Sequence, residues 1–322
     1  MRKIKWGVLG TADIAKGQTI PGMRMAEHCE LYAIAGRKIE KAIDYQKTFG
    51  FQKAYGSYDE LLADPEAEAV YIPLPNDLHC EWSIRALKAG KHVRCEKPLA
   101  VTEEQAAEMF RTAEENHVLL MEAFAYLHSP YVRAIKEEVD SGAIGGIRYL
   151  ESSFITGRRP DTDIRLRRET FGGAMYDLGC YPSSLALWLL GKEPDTIRAV
   201  AQFSDKKIDL FTAALLEYEG GPVVKLDCGM VLTDGRTDRL YISGTEGEIE
   251  SSTEFNQCGE TRYTLTRGGK KETKTVNAPN NYALEAEQLS RCILNGEKPH
   301  VNKEFSLMTA RVTDRILKAI GY

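Results

Sequence analysis

The sequence contains no Cys-x-x-Cys and no His-Glu-x-x-His among its seven cysteines and six histidines. The second absence removes the zincin pattern, and no metal is expected. The cysteines, at 29, 80, 95, 180, 228, 258 and 292, are odd in number and scattered. That fits structural thiols in a reduced, cytoplasmic protein rather than a disulfide frame. No apolar stretch approaches the roughly 18 residues a membrane helix needs. The opening MRKIKWGVLG carries cations, but no apolar region with a small-residue cleavage site follows, so no signal peptide is expected. There is no run of five like charges, and the formal net charge is only -5. Nucleic acid and anionic membrane are therefore not expected as partners. Repeats, low-complexity tracts and long linkers are also missing.

What remains is a chain of 322 residues, 43% hydrophobic and 28% charged, in the range of soluble globular proteins. Its length suffices for two ordinary domains. Up to about residue 123, short apolar runs (3–10, 30–36, 52–56, 69–75, 91–97, 118–124) alternate with helical spacing, as in 77–90 and 102–117. Strands alternating with helices predict βαβ units and a doubly wound parallel sheet. Several runs are almost continuously apolar, as strands buried on both faces should be. Thr102 followed by Gln105 offers a capping box. After residue 123 the rhythm changes. A helix at 131–145, a strand at 146–157 and a helical stretch ending near 190 precede seven closely spaced strands between 196 and 276. Two helices follow, at 281–296 and 304–321. The fold expected is α/β: a dinucleotide-binding domain over 1–123, then an α+β domain over 124–322 with a large, mostly antiparallel open sheet.

VLGTADIAKG (8–17) follows the first strand and opens a helix. The dinucleotide fingerprint asks for Gly-x-Gly-x-x-Gly or Ala, and the three positions here are Gly10, Ala12 and Ala15. The first supplies the tight turn and the last lets helix and sheet pack closely. The middle one lets pyrophosphate approach the helix N-terminus; alanine crowds that approach. Gly10, Thr11, Ala12, Asp13 and Ile14 are the expected phosphate-side contacts. An NAD enzyme places a carboxylate at the end of the second strand. This chain has Gly36, Arg37 and Lys38 there, two cations suited to a 2′-phosphate, so the cofactor expected is NADP, with NAD weaker. Pro75, Asn76, His79, Glu96 and Lys97 complete the expected cofactor contacts, since ligands of open sheets gather at the carboxyl ends of strands.

With Glu96-Lys97-Pro98 a wider pattern comes into view. GVLGTADIA (7–15), the run from 70 to 100 ending in CEKPLA, and GGAMYDLGCYP (172–182) together resemble the glucose–fructose oxidoreductase / inositol dehydrogenase (Gfo/Idh/MocA) family over nearly the whole chain. LMEAF (120–124), DIRL (163–166) and DLGCYP (177–182) resemble the branch of dimeric dihydrodiol dehydrogenase and NADP-dependent aldose 1-dehydrogenases of xylose type. Many family members have histidine where Tyr181 stands. Asp163 stands where that branch's pattern has asparagine. No Tyr-x-x-x-Lys occurs, so the short-chain dehydrogenase pattern is lacking.

The resemblance implies a six-stranded nucleotide domain, a substrate held between the domains, a cis bond before Pro98, and homodimers or homotetramers formed through the second sheet. Lys97, Tyr181 and Asp177 are the expected catalytic residues, and Lys97, Arg165, Asp177 and Tyr181 the expected contacts to a small polyhydroxylated substrate. A free tyrosine, with a pKa near 10, is a poor base at neutral pH. A nearby cation favours the phenolate, and Lys97 can supply that charge while donating to the substrate oxygen. Asp177 would orient the lysine or accept from a neighbouring hydroxyl. The function expected is NADP-dependent hydride transfer to or from a carbinol of a sugar, polyol or cyclic diol. The other class is a non-enzymatic NADP-binding sensor of the same fold.

Overall fold

Six short strands, all but the edge strand β3 buried along most of their length, build the first sheet: β1 (Ile4–Leu9), β2 (Cys29–Ala35), β3 (Lys53–Tyr55), β4 (Ala69–Ile72), β5 (His92–Glu96) and β6 (Leu120–Ala123). This computed structural model describes residues 2–157, 159–233 and 235–322. All the pairings in the sheet are parallel and the strand order is β3-β2-β1-β4-β5-β6. Chain direction across the sheet reverses between β1 and β4, which is the switch point where such sheets bind ligands. The helices are α1 (Ile20–Met25), α2 (Ile39–Phe49), α3 (Tyr58–Leu62), α4 (Asn76–Lys88) and α5 (Glu103–Glu115). The capping box at α5 is formed: Thr102 Oγ1 accepts from Gln105 N at 3.3 Å, and Gln105 Oε1 accepts from Val101 N at 3.3 Å.

The second sheet has eight strands: β7 (Ile147–Gly157), β8 (Thr196–Phe203), β9 (Asp209–Glu217), β10 (Val223–Thr233), β11 (Thr237–Gly244), β12 (Gly247–Ser251), β13 (Gly259–Arg267) and β14 (Lys270–Ala278). Their order is β14-β13-β12-β11-β7-β10-β9-β8. Every pairing is antiparallel except β7 with β10. The helices α6 (Pro130–Asp140) and α7 (Cys180–Leu190) precede and interrupt it, and α8 (Asn281–Asn295) and α9 (Lys303–Ile320) close the chain.

The chain divides into two compact units, residues 1–128 with 279–306, and residues 129–278 with 307–322. The segment 279–306 thus joins the first unit, whereas the sequence expectation placed all of 124–322 in the second. Polar contacts explain why α8 goes there. Trp6 Nε1 of β1 donates to Ser290 Oγ at 3.0 Å. The fully buried Arg94 of β5 stands 3.5 Å from the equally buried Glu285. Gly22 permits the approach of α1 to this helix, since a Cβ there would lie 2.7 Å from Tyr282 Cβ.

On one face of the second sheet the register aligns Val200, Ala213 and Asp227, and Arg198, Leu215 and Lys225. Val200 is 69% and Leu215 44% exposed. The apolar outward residues lie mainly on β8 and β9, while β10 contributes Val223, at its start, with Lys225 and Asp227. The exposed apolar strip is therefore narrower than the sequence of β10 suggests.

Candidate active site

In the first unit, the carboxyl ends of β1, β2, β4 and β5 carry the expected cofactor residues. Gly10 follows β1 with φ +128°, a conformation that side-chain-bearing residues rarely adopt, donates its N–H to Ala35 O at 2.9 Å, and would bring a Cβ to a tight 3.1 Å from Leu74 Cδ2. Thr11 and Ala12 follow, and the chain turns helical at Asp13 and Ile14, passing through a π-helical turn (Ala15–Thr19) into α1. Tyr45 of α2 fixes this loop by donating to Thr11 O at 3.1 Å. Ala15 is fully buried, as the third fingerprint position requires. After β2, Gly36 is buried while Arg37 and Lys38 are exposed. The Tyr58 hydroxyl, which burial pushes above its ordinary value, feels the Arg37 charge in opposition. The same hydroxyl lies 3.7 Å from the Cβ position of Gly10, so Arg37 and the Gly10 turn share a neighbour.

Pro75 caps α4, with its carbonyl accepting from Leu78 N at 2.9 Å, and Asn76 begins the helix. His79 is fully buried. Its Nδ1 faces Pro98 O and its Nε2 faces Leu74 O, each at 2.8 Å. The neutral ring carries one N–H, so it donates to one of these carbonyls and lies against the other. His79 thereby ties the loop after β4 to the loop after β5. Burial lowers its pKa and the two carbonyls oppose that. At the end of β5, Glu96 Oε1 accepts from Tyr71 OH at 2.6 Å, and the Thr19 hydroxyl lies 3.0 Å from the same phenol. Lys97 is half-buried, and the bond from it to Pro98 is cis.

In the second unit, Asp163 Oδ1 accepts from Arg165 N at 2.9 Å at the start of a 3-10 turn (Ile164–Leu166). A π-helical turn (Met175–Gly179) then runs into α7. Gly173, at φ +116°, leaves space for Asp209, whose Oδ1 would be 2.0 Å from a Cβ. Asp209 Oδ2 accepts from Met175 N and from Thr212 Oγ1, both at 2.8 Å, and burial pushes its pKa up to about 6. This carboxylate fastens the turn that carries Asp177 and Tyr181.

Asp177 and Arg165 are brought into contact. Arg165 Nε donates to Asp177 Oδ1 at 3.0 Å, and Arg159 Nη2 to Asp177 Oδ2 at 2.9 Å. Both arginines also lie within ion-pair distance of Asp163. Asp177 is the first cause of the raised Arg165 pKa. Half-buried Tyr181 packs edge-on against Phe154 at 5.2 Å and at a tilt against Phe255 at 5.2 Å, and Arg236 stands over the Phe154 ring at 4.5 Å. Burial opposes the Arg236 charge, and Asp238, Glu254 and the Tyr181 phenol, in this order, favour it. Among the described residues, the metal-ligand cluster found is Glu27, His28 and Glu287, in which His28 N donates to Glu287 at 2.9 Å.

Sequence reasoning missed Glu122 and Asp209. Glu122 is the lone carboxylate in the apolar run 118–124 and is buried. A charge in an otherwise buried strand is a signal that it has a specific partner.

A model of an oxidoreductase family with an NAD-binding Rossmann fold matches residues 4–124, and the GFO/IDH/MocA C-terminal domain model matches residues 132–250. The D-xylose 1-dehydrogenase (NADP(+)) 2 of Haloferax volcanii is 34% identical over 98% of this chain and 96% of its own. The mouse (Mus musculus) trans-1,2-dihydrobenzene-1,2-diol dehydrogenase is 29% identical over 99% and 97%. A crystal structure of a 3-ketoreductase from Actinomadura kijaniata, with NADP and TDP-benzene, superimposes with a TM-score of 0.93 at 33% identity, covering 99% of this chain and 98% of that one.

Proposed function

The chain belongs to the GFO/IDH/MocA oxidoreductase family, and on that premise we propose that it is an NADP-dependent dehydrogenase or reductase. It transfers a hydride between nicotinamide and a carbinol carbon of a sugar, polyol or cyclic diol. The observation that carries this reading is the placing of the Gly10 turn, Arg37 and Lys97 at carboxyl ends of strands in one parallel sheet, around the β1/β4 switch point.

These residues suit NADP. Gly10 leaves its backbone open, a helix begins at Asp13 to receive phosphate, and Arg37 is an exposed cation where a 2′-phosphate would lie. When bound, the cofactor supplies or accepts the hydride. On this reading Lys97 donates a hydrogen bond to the oxygen of the reacting carbon. Tyr181 takes the hydroxyl proton in oxidation and returns it in reduction. Asp177, held by Arg159 and Arg165, and Arg165 itself contact neighbouring hydroxyls. Variant structures of the related ketoreductase replace a lysine and a tyrosine that stand as far apart in its chain as Lys97 and Tyr181 do here.

The same reading makes the protein a cytoplasmic homodimer or homotetramer joined through the second sheet. The exposed Val200 and Leu215 support the interface. The seven cysteines, five of them buried and all outside disulfides, support a reducing compartment. No helix among the described residues is long and apolar enough to cross a membrane.

The test is a screen of aldoses, inositols and vicinal diols with NADP⁺ and NAD⁺, and of keto sugars with NADPH, following nicotinamide absorbance. Turnover of one class with NADP is the expected result. Failure with every class, while NADPH still binds, would leave the sensor reading.

A further inference from the structure

Lysine is a flexible side chain, and a lysine that must meet one atom of a substrate needs a fixed backbone beneath it. In the first unit two buried side chains grip the turn that carries Lys97. His79, from α4, stands 2.8 Å from the carbonyl oxygen of Pro98. Glu122, from β6, accepts the N–H of Leu99 through Oε1 at 2.9 Å. These two contacts fall on consecutive residues, immediately after Lys97, and they come from opposite sides in sequence.

Glu122 is an expensive residue to place where it is. It is 2% exposed and lies directly across the sheet from Cys95, two residues before Lys97. A buried carboxyl needs partners. Oε1 has the Leu99 N–H. Oε2 closes no hydrogen bond of ordinary geometry, although the Ser306 hydroxyl lies close enough to stabilise it. Burial pushes the group up to about 7, and Ser306, the Leu99 N–H and the Lys97 charge oppose that, in this order. The carboxyl is thus electrostatically in reach of Lys97 and mechanically tied to the residue two beyond it. An apolar residue would satisfy the packing of β6 but would leave the Leu99 N–H without its acceptor.

We propose that Glu122 is a positioning residue for Lys97, its carboxyl holding the Leu99 peptide so that the Lys97–Pro98–Leu99 turn keeps one shape. The inference rests on the reading of Lys97 as the group that meets the reacting oxygen. Glu122 touches neither substrate nor cofactor in this scheme, and its effect passes through the backbone.

The experiment compares the wild type, Glu122→Gln, Glu122→Leu and Lys97→Met on one substrate identified by the screen. Active sites are counted by NADPH fluorescence titration, so that unfolded molecules do not enter kcat. Glu122→Gln keeps an acceptor for Leu99 and should retain kcat to within about 3-fold. Glu122→Leu has similar volume and no acceptor. Its kcat should fall on the order of 10- to 100-fold, the size of a small misplacement of a reacting group, while the NADPH Kd moves by less than about 3-fold. Glu122→Leu with wild-type kcat per NADPH site overturns the proposal. So does a Glu122→Gln protein whose kcat per NADPH site falls about 10-fold or more, an outcome readable even where the Leu variant fails to fold. Lys97→Met separates the two levels. A dead Lys97→Met beside an unaffected Glu122→Leu sinks only the positioning role. An active Lys97→Met sinks the reading of the lysine and, with it, any role for Glu122 through that lysine.

Discussion

Three side chains carry the chemistry proposed, and they make two demands. Arg37 is exposed at the end of β2, where a charge-assisted hydrogen bond to a 2′-phosphate is worth roughly 1.5–3 kcal/mol. Arg37→Ala should weaken NADP by roughly 10- to 100-fold and leave NAD almost unchanged; equal weakening of both in a binding titration would show that Arg37 does not read the phosphate. Lys97 and Tyr181 make a coupled demand. A phenol has a pKa near 10, so its usefulness as a proton acceptor depends on nearby positive charge. Lys97→Met should lower kcat severely with NADP binding intact. Tyr181→Phe, which keeps the ring that packs on Phe154 and Phe255, should cost roughly 100- to 10,000-fold, the range of a lost general acid or base. Because both act in one proton transfer, the double variant should be little worse than the worse single one. The measurement is kcat/KM for all four proteins. A Tyr181→Phe protein that stays active across pH, beside a dead Lys97→Met, would make the lysine itself the acid and base.

Among the elements, α8 does the least expected thing. Its pattern in sequence announces a helix with a buried face, and that is what forms, with Tyr282, Ala286 and Leu289 buried. Periodicity says that a face is covered but not by which part of the chain. The sequence therefore gives no sign that 279–306 returns to the first unit. What fixes the partner is polar and specific: Trp6 to Ser290, and Arg94 to Glu285. Arg94 is fully buried between the rings of Trp6 and Tyr71. Burial pushes Glu285 up to about 8 and the Arg94 charge opposes that, so above that pH removing Arg94 strands a buried carboxylate, at a cost of about 3–5 kcal/mol. Arg94→Met should therefore destabilise the protein by that order in urea unfolding above that pH, and Arg94→Met with Glu285→Leu should recover most of the loss. Equal damage in single and double variants would mean that the two charges are not coupled. The strands were legible, including the crowded second half, because buried runs and alternation are local signals. The sheet order and the parallel β7–β10 pair were not, since pairing partners are far apart in sequence. In the site, the Gly10 turn, the Arg37 corner and the position of Lys97 on a strand end could be read from spacing. Glu122 and Asp209 could not be given roles, because what each holds, the Leu99 and Met175 N–H groups, is a neighbour only in space.

For the whole molecule, two properties test the structure beyond its site. The first is assembly. If the outward strip at Val200 and Leu215 is an interface, light scattering at micromolar concentration should give a dimer or tetramer. Val200→Glu with Leu215→Glu should then give a monomer that still binds NADPH. A monomeric wild type would remove the interface. The second is the dependence of stability on pH. Among the described residues burial pushes three carboxyls upward, Glu122 from 4.5 to about 7 and Glu285 from 4.5 to about 8 in the first unit, and Asp209 from 3.8 to about 6 in the second. Between the unfolded and folded values the native chain keeps a proton that the unfolded chain has released. Each group therefore contributes stability that is fully present below the unfolded value and is lost as pH rises through the folded one. His79 and His92 work the other way, since burial lowers their pKa values and charging them at low pH opposes folding. The net slope mixes these terms, so the informative quantity is its change on substitution. With about 1.4 kcal/mol per pKa unit, the fall in unfolding free energy from pH 5 to pH 8 should shrink by about 2 kcal/mol in Glu122→Gln and by about 1 kcal/mol in Asp209→Asn. Urea unfolding of the cofactor-free protein at both pH values measures it. Variants that keep the wild-type difference would show that neither carboxyl holds its proton in the native state.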